Sequence, residues 1–147
     1  MNDVADNGGL ARPPAWFWVI SVIGLLWNLI GVAAFINDVF FLDPASLDEL
    51  QRDFYEGRPS WALAAYGIAV FGGALGCLAL LLRRSWALPM LLVCLVGIVV
   101  QNLHSLVLGN GLEAFGPQGL VLPLMVFLIA VFLAWFAHYS RGRGWLS

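Results

Sequence analysis

Residues 61–82 read WALAAYGIAVFGGALGCLALLL, a run of apolar and small residues without Asp, Glu, Lys or Arg. A helix rises about 1.5 Å per residue, so a segment of this length crosses a hydrocarbon core of roughly 30 Å. Three further segments share this length and lack of charge, namely residues 16–36, 86–108 and 120–139. The sequence therefore predicts an all-α membrane protein, an antiparallel four-helix transmembrane bundle.

The composition excludes several classes of function. Hydrophobic residues make up 61% of the 147-residue chain and charged residues only 11%, against roughly 25% charged residues in a soluble domain. Four spans leave no room for a soluble catalytic domain, and no nucleotide-binding loop or His-Glu-x-x-His motif is present. We expect the lipid bilayer as a partner, and we predict no nucleic acid, metal or cofactor.

The distribution of arginine predicts the orientation, since all seven basic residues are Arg. Two lie in the connection between the first and second spans, and five lie in the tails and the second connection: Arg52 and Arg58 against Arg12, Arg83, Arg84, Arg141 and Arg143. Cytoplasmic segments carry the excess of positive charge. We therefore predict a multi-pass protein of a bacterial inner membrane with both termini in the cytoplasm. Residues 1–15 are predicted to form a mobile cytoplasmic tail, and residues 141–147 a second one.

The first outward connection contains a predicted amphipathic helix at about residues 44–55. Asp43 or Ser46 can cap it, and Ser46 stands at capping-box spacing from Glu49. Apolar residues follow at helical spacing, so the helix is expected on the outer membrane surface or over the mouth of the bundle. The alternative is a loop that only closes the first hairpin.

Small residues predict where the helices pack most closely. Gly72, Gly73 and Gly76 lie in the second span, and Gly24 and Gly31 lie in the first. Helix association in lipid depends on close packing, and a Gly-x-x-x-Gly spacing lets two backbones approach. We expect this face to pack within the monomer, with a dimer seam as the alternative.

Aromatic residues near the span ends are predicted to anchor the protein at the membrane interfaces, where amphipathic rings are favoured. These residues are Trp16, Trp18, Trp61, Trp86, Tyr139 and Trp145.

Polar side chains inside the spans and at the outer end of the first span are the candidate site. The predicted ligand-binding residues are Asn28, Asn37, Asp38, Gln101, Asn102 and His104. A buried amide without a partner costs roughly 2 to 7 kcal/mol, so these groups should face the bundle interior and bond to one another. Asn28 and Gln101 should lie at similar depth and either face one another or share a water. His104 near Asp38 could relay protons, or it could be a neutral packing residue with one hydrogen bond.

Several motifs resemble a family of small bacterial four-span inner-membrane proteins. They are Pro59-Ser60-Trp61, the run from Ala69 to Gly76, the run from Leu80 to Pro89, the run from Gly97 to Gln101, and Trp27-Asn28-Leu29-Ile30-Gly31. The match covers nearly the whole chain after Trp16, and some members are labelled "sugar transporter". A fainter likeness, in general shape and the small-residue second span, is to the DoxX-like proteins.

These observations lead to three functional hypotheses. The first is binding or translocation of a small uncharged or weakly polar solute through an outward-facing polar pocket, for which a homodimer would be needed if the solute is moved. The second is a structural or accessory subunit of a larger membrane complex, whose amides serve only helix packing. An enzyme comes third, and the likeness to the DoxX-like proteins implies redox chemistry for it. Cys77 and Cys94 are themselves expected to be reduced packing residues, with a redox pair as the alternative.

Overall fold

The computed structural model describes residues 10–147, and this part of the chain contains helices and no strand. The α-helices are α1 (Ala15–Ile36), α2 (Glu49–Glu56), α3 (Ser60–Leu81), α4 (Ala87–Leu103), α5 (Gly111–Phe115) and α6 (Val121–Gly142). π-helical turns at Asn37–Phe41 and His104–Leu108 extend α1 and α4, and 3-10 turns occupy Pro44–Ser46 and Pro117–Leu120. The first nine residues of the predicted mobile tail lie outside the described part.

Four of these helical segments are long and apolar enough to cross a membrane: Ala15–Phe41, Ser60–Leu81, Ala87–Leu108 and Pro117–Gly142. They agree with the all-α, four-helix membrane bundle that the sequence predicted. Because uncharged helices satisfy their own backbone hydrogen bonds, they are a stable form for a chain in lipid. The chain therefore has the architecture of a multi-pass membrane protein.

Helix α3 is the most buried of the four, and it packs on both α1 and α4. A Cβ atom placed at Gly24 would lie 3.2 Å from Cys77 Sγ, and one at Gly31 would lie 3.3 Å from Val70 Cγ1. As the residue number rises along α1, the residue number of its contact on α3 falls, so these two helices run antiparallel.

The predicted glycine face of α3 lies against α4. A Cβ at Gly72 would lie 3.5 Å from the backbone nitrogen of Cys94, and one at Gly76 would lie 2.6 Å from Leu91 Cγ. Small residues therefore bring these two backbones close together within one chain. Gly73 points elsewhere, toward α1 and Asn28.

Aromatic and apolar side chains close the end of the bundle that carries both described termini, which we call the termini end. Phe17 and Phe136 are fully buried there, with ring centroids 5.6 Å apart. Trp145 was predicted as an interface anchor, but it is buried against Trp16 and Phe17. The reason is that residues 143–147 fold back onto the bundle, where Trp145 and Leu146 fill the core.

Arg83 holds this returning segment in place. Its Nε donates a hydrogen bond to the Trp145 carbonyl at 2.8 Å, and a terminal nitrogen of its guanidinium donates to the Ala11 carbonyl. The backbone nitrogen of Ser147 donates to the Arg83 carbonyl at 2.8 Å. Arg83 adopts φ 56°, a conformation uncommon for a residue other than glycine, so the turn between α3 and α4 is shaped by these contacts.

We expect Arg83→Ala to lower the free energy of unfolding by roughly 1.5–3 kcal/mol, the range for a hydrogen bond to a charged group. Thermal unfolding in detergent measures the change. Arg84→Ala removes the same charge from the neighbouring, exposed position and serves as the control. Equal losses in the two variants would contradict a specific role for Arg83.

The opposite end of the bundle, the loop end, carries the connections 37–59 and 109–120. Asp48 is the N-cap of α2, and its carboxylate accepts a hydrogen bond from the Gln51 backbone nitrogen at 2.8 Å. The sequence offered Ser46 or Asp43 for this cap, but Asp43 instead caps the 3-10 turn at Pro44–Ser46. Two short caps in succession divide the predicted helix into a 3-10 turn and α2.

Candidate functional site: a cavity at the loop end

A cavity of about 270 Å³ lies between the spans at the loop end. Its wall includes residues of α1, α3, α4 and α6, and α2 with the residues that follow it contributes to the mouth. We call this space the loop-end cavity. It occupies the region where the sequence predicted that polar side chains would converge.

The amide side chains of this cavity come from two helices. Asn28 on α1 and Gln101 and Asn102 on α4 all contribute to its wall. Asn28 donates to the Gly24 carbonyl at 2.8 Å and to Cys77 Sγ at 3.5 Å. Asn102 donates to the Pro123 carbonyl at 3.5 Å.

The Gln101 amide differs from the other two. Within residues 10–147 it has no hydrogen-bond partner of its own, although it is partly buried. An amide carries two N–H donors and an acceptor oxygen, so Gln101 can present all of them to the cavity. The sequence predicted that Gln101 and Asn28 face one another or share a water. The two amides form no hydrogen bond with each other, because Asn28 turns toward its own helix and α3.

Opposite charges stand at the mouth of the cavity. Asp38 follows α1 and Arg58 follows α2, and both contribute to the wall. Arg58 lies over two tyrosine rings, 5.2 Å from the Tyr55 centroid and 6.0 Å from the Tyr66 centroid. These are cation–π distances, so the guanidinium is held against both rings.

The Tyr55 hydroxyl remains a hydrogen-bond donor at neutral pH. Burial raises its pKa above the usual value of 10.0, Asp38 raises the pKa further, and Arg58 partly opposes the change. Tyr55, Arg58 and Tyr66 were not among the site residues predicted from the sequence. Arg58 was used there only for orientation, and the two tyrosines resembled ordinary helix residues.

The two π-helical turns shape the polar wall. Asp38 lies in the first turn and Ser105 in the second, and both border the cavity. An extra residue per turn changes the direction in which the following side chains project, and such turns are frequent at functional sites. The sequence gives no simple signal for them.

Two predicted site residues lie outside this cavity. Asn37 is exposed, and His104 is buried against Trp61, with ring centroids 5.3 Å apart. His104 lies outside the cavity because of its rotation about the axis of α4. Gln101 and Asn102 both face the cavity, so the cavity-facing direction of the helix lies between them. His104 is then roughly 110° away, toward α2 and α3, where it borders a separate cleft between α2 and α5.

This placement favours a packing role for His104 over proton relay. The Nδ1 atom of His104 is buried and has no hydrogen-bond partner within the described residues. An unpaired buried polar group costs roughly 1–3 kcal/mol. We therefore expect His104→Leu to keep or raise the free energy of unfolding, by up to that amount, in a denaturant titration. A clear loss of stability would mean that the imidazole has a partner.

Gly73 gives Asn28 the room that it needs. A Cβ atom at Gly73 would overlap Asn28 Oδ1 and would lie 3.1 Å from Cys94 Sγ. This predicted packing glycine therefore also positions a cavity residue. Any side chain at Gly73 would push the Asn28 amide out of its present position.

The cavity ends above the packed core. Ala69 and Ile98 form part of its wall, and both are buried in a cluster with Cys94 and Ala130. Farther toward the termini end, the larger core around Phe17 closes the bundle. This arrangement is a pocket with one closed end rather than an open pore.

The residues 10–147 contain no group of three or more His, Cys, Asp or Glu side chains that could hold a metal ion. The polar groups of the cavity are amides, hydroxyls, one carboxylate and one guanidinium, set in an otherwise apolar wall. Such a set recognises polar groups through hydrogen bonds and charge.

Fold and cavity together define a multi-pass helical membrane protein with a pocket between its spans that carries polar groups in a largely apolar wall. Comparisons with protein-family models, with curated proteins and with solved structures find no match to this chain. The family resemblance of the sequence motifs therefore stays a prediction.

Proposed function

We propose that this protein binds, and in an assembled form helps to translocate, a small polar molecule without net charge in the loop-end cavity. The observation that carries the proposal is the partly buried Gln101 amide, which lines the cavity and has no partner among the described residues. The Gln101 amide atoms are not among the buried unpaired atoms of the described residues, so they are open to the cavity and available to a bound molecule. A molecule with hydroxyl, amide or phosphate groups can bond to them.

The charges at the mouth support a ligand that is neutral as a whole. Arg58 and Asp38 contribute one charge of each sign to the same wall. A ligand with a net charge would be repelled by one of them, whereas a neutral or zwitterionic molecule is compatible with both. The sequence suggested an uncharged ligand because the apolar spans lacked charge. The pair of opposite charges, Arg58 and Asp38, extends that expectation to zwitterionic ligands.

The location proposed is a bacterial inner membrane with the termini end in the cytoplasm. Five arginines lie at the termini end and two at the loop end, which supports this orientation. The cavity would then open outward beneath α2, whose apolar face would lie near the outer membrane surface. The motif resemblance to proteins labelled "sugar transporter" is compatible with a hydroxyl-rich ligand.

A structural or accessory subunit is the second candidate. It is favoured by Asn28 and Asn102, whose amides donate to Cys77 Sγ on α3 and to the Pro123 carbonyl on α6 and so can fasten helices. Translocation would require a homodimer or a larger complex, because one four-span chain with a closed end offers a single pocket. The two candidates differ in what Gln101 does.

The experiment compares Gln101→Leu with Gln118→Leu, the same change at an exposed position outside the cavity. Purified protein in detergent is titrated with neutral monosaccharides, polyols and glycerophosphoethanolamine while thermal unfolding is followed. A ligand at 100 times its Kd stabilises the folded state by about 2.7 kcal/mol.

We expect at least one probe to stabilise the wild-type and Gln118→Leu proteins but not Gln101→Leu. The subunit hypothesis instead predicts that Gln101→Leu changes stability alone and that no probe has an effect. That second pattern would overturn the proposed binding function.

A further inference from the structure

The loop-end cavity has an opening toward the lipid between α1 and α6. These two helices touch in their termini-end halves, where Phe17 packs on Phe136 and a Cβ at Gly24 would lie 3.0 Å from Leu133 Cδ2. Nearer the loop end, Ile30 on α1 is 65% exposed and Leu122 on α6 is 59% exposed, yet both also line the cavity. The cavity thus reaches the lipid-facing surface of the bundle.

The wall changes character from this opening to the mouth. Trp27 and Ile30 from α1 and Leu122 and Val126 from α6 give the opening apolar sides. Besides Asn28 on α1, the polar groups come from α4, from Tyr55 and Tyr66, and from Asp38 and Arg58, which follow α1 and α2. A ligand that matches both regions has a polar head and an apolar tail.

The volume limits what can be enclosed. A volume of about 270 Å³ lies just below the roughly 300–1,000 Å³ of pockets that enclose drug-sized ligands. This space suits a lipid headgroup and is too small for a whole lipid. An acyl chain would therefore pass out between α1 and α6 and remain among the chains of the bilayer.

From this geometry we infer that the ligand is a membrane lipid with a zwitterionic headgroup, such as phosphatidylethanolamine, which enters from the side between α1 and α6. The inference rests on the proposed function and specifies its ligand. Arg58 suits the headgroup phosphate, since guanidinium groups bind phosphate oxygens well. Asp38 suits the ammonium group, and the Gln101 amide suits the ester or phosphate oxygens.

The test uses the full chain in nanodiscs of phosphatidylglycerol that contain a trace of phosphatidylethanolamine with a photoactivatable acyl chain. Crosslinked peptides are mapped by mass spectrometry. Ile30→Trp places a bulky ring at the opening, and Ile23→Trp makes the same change on α1 at a residue that is 61% exposed but outside the cavity wall. Photoactivatable phosphatidylglycerol is the comparison for headgroup charge.

We expect crosslinks from phosphatidylethanolamine on both sides of the opening, in residues 27–34 and 121–128. Ile30→Trp should reduce them about tenfold, corresponding to a 1.4 kcal/mol loss, and Ile23→Trp should leave them unchanged. Crosslinks that are unaffected by Ile30→Trp, or that are the same with phosphatidylglycerol, would overturn the inference.

Free glycerophosphoethanolamine separates this inference from the proposed function. If it displaces the lipid only at far higher concentration, the lipid is the ligand. If it binds Gln101-dependently and as tightly as the lipid, lateral entry of a lipid is overturned while polar ligand binding stands. If Gln101→Leu alters the binding of neither molecule, both the inference and the proposed function are overturned.

Discussion

Replacing Gly97 by Ala is expected to lower the free energy of unfolding by about 1–3 kcal/mol, the usual cost of forcing extra atoms into a packed core. A Cβ atom at Gly97 would lie 2.9 Å from the Ala65 carbonyl oxygen and 3.0 Å from the Ala69 backbone nitrogen. These atoms belong to the backbone of α3, so no side chain can rotate away. The two helices would have to move apart.

The control for this variant is Gly142→Ala, because a Cβ at Gly142 meets nothing within 4 Å. Alanine is the better helix former by about 1 kcal/mol in a helix interior, so this change should be neutral or slightly stabilising. Urea or detergent denaturation of both variants measures the difference. Similar stabilities of Gly97→Ala and Gly142→Ala would contradict the close approach of α3 and α4.

Replacing Arg58 by Gln is expected to weaken ligand binding by roughly 10- to 150-fold, equivalent to the 1.5–3 kcal/mol of a hydrogen bond to a charged group. The guanidinium is placed at the mouth by Tyr55 and Tyr66 and is opposed in charge by Asp38. The change removes the positive charge that would bind the ligand and leaves the Asp38 carboxylate without a nearby opposite charge. Titration of phosphatidylethanolamine or the best soluble probe measures the effect.

Arg52→Gln is the matched control because Arg52 lies in α2, just before Arg58 in the chain, but outside the cavity wall. Its guanidinium donates to the Pro44 and Leu47 carbonyls. Arg52→Gln should leave affinity unchanged. Adding Asp38→Asn to Arg58→Gln should restore part of any lost stability, since both charges are then gone. Equal affinity of the Arg52 and Arg58 single variants would remove Arg58 from the site.

Much of the architecture follows from length and charge alone. Segments such as residues 61–82 are long, apolar and uncharged, and in lipid that combination has few outcomes other than a spanning helix. The glycines of α3 were also informative, since in lipid small residues mark the positions where backbones meet. Gly72 and Gly76 contact α4 as the spacing suggested.

The composition of the site was predictable only in part. Asn28, Gln101 and Asn102 could be named because polar groups inside spans are costly and must face inward. Asp38 was named because it follows the end of the first span, within reach of His104. Arg58 could not be named, since its position depends on how α2 lies over the bundle. His104 was misplaced relative to the cavity because helical periodicity gives a face and does not tell which neighbour that face meets.

The termini end shows a second limit of sequence reasoning. Trp145 near a chain end has the sequence signature of an interface anchor, yet it is buried through hydrogen bonds between distant backbone groups and Arg83. The neighbouring Leu146 was the available hint, because an apolar pair in a short tail favours packing over exposure.

The most direct measurement is the reactivity of a cysteine placed at position 101. A charged, membrane-impermeant methanethiosulfonate is applied separately to each side of sealed membranes that contain Gln101→Cys. The native thiols of Cys77 and Cys94 are buried and provide the background. We expect the new thiol to react from the loop side alone. Reaction no faster than that of the native thiols, or equal reaction from both sides, would contradict a polar pocket that is open at one end and closed at the other.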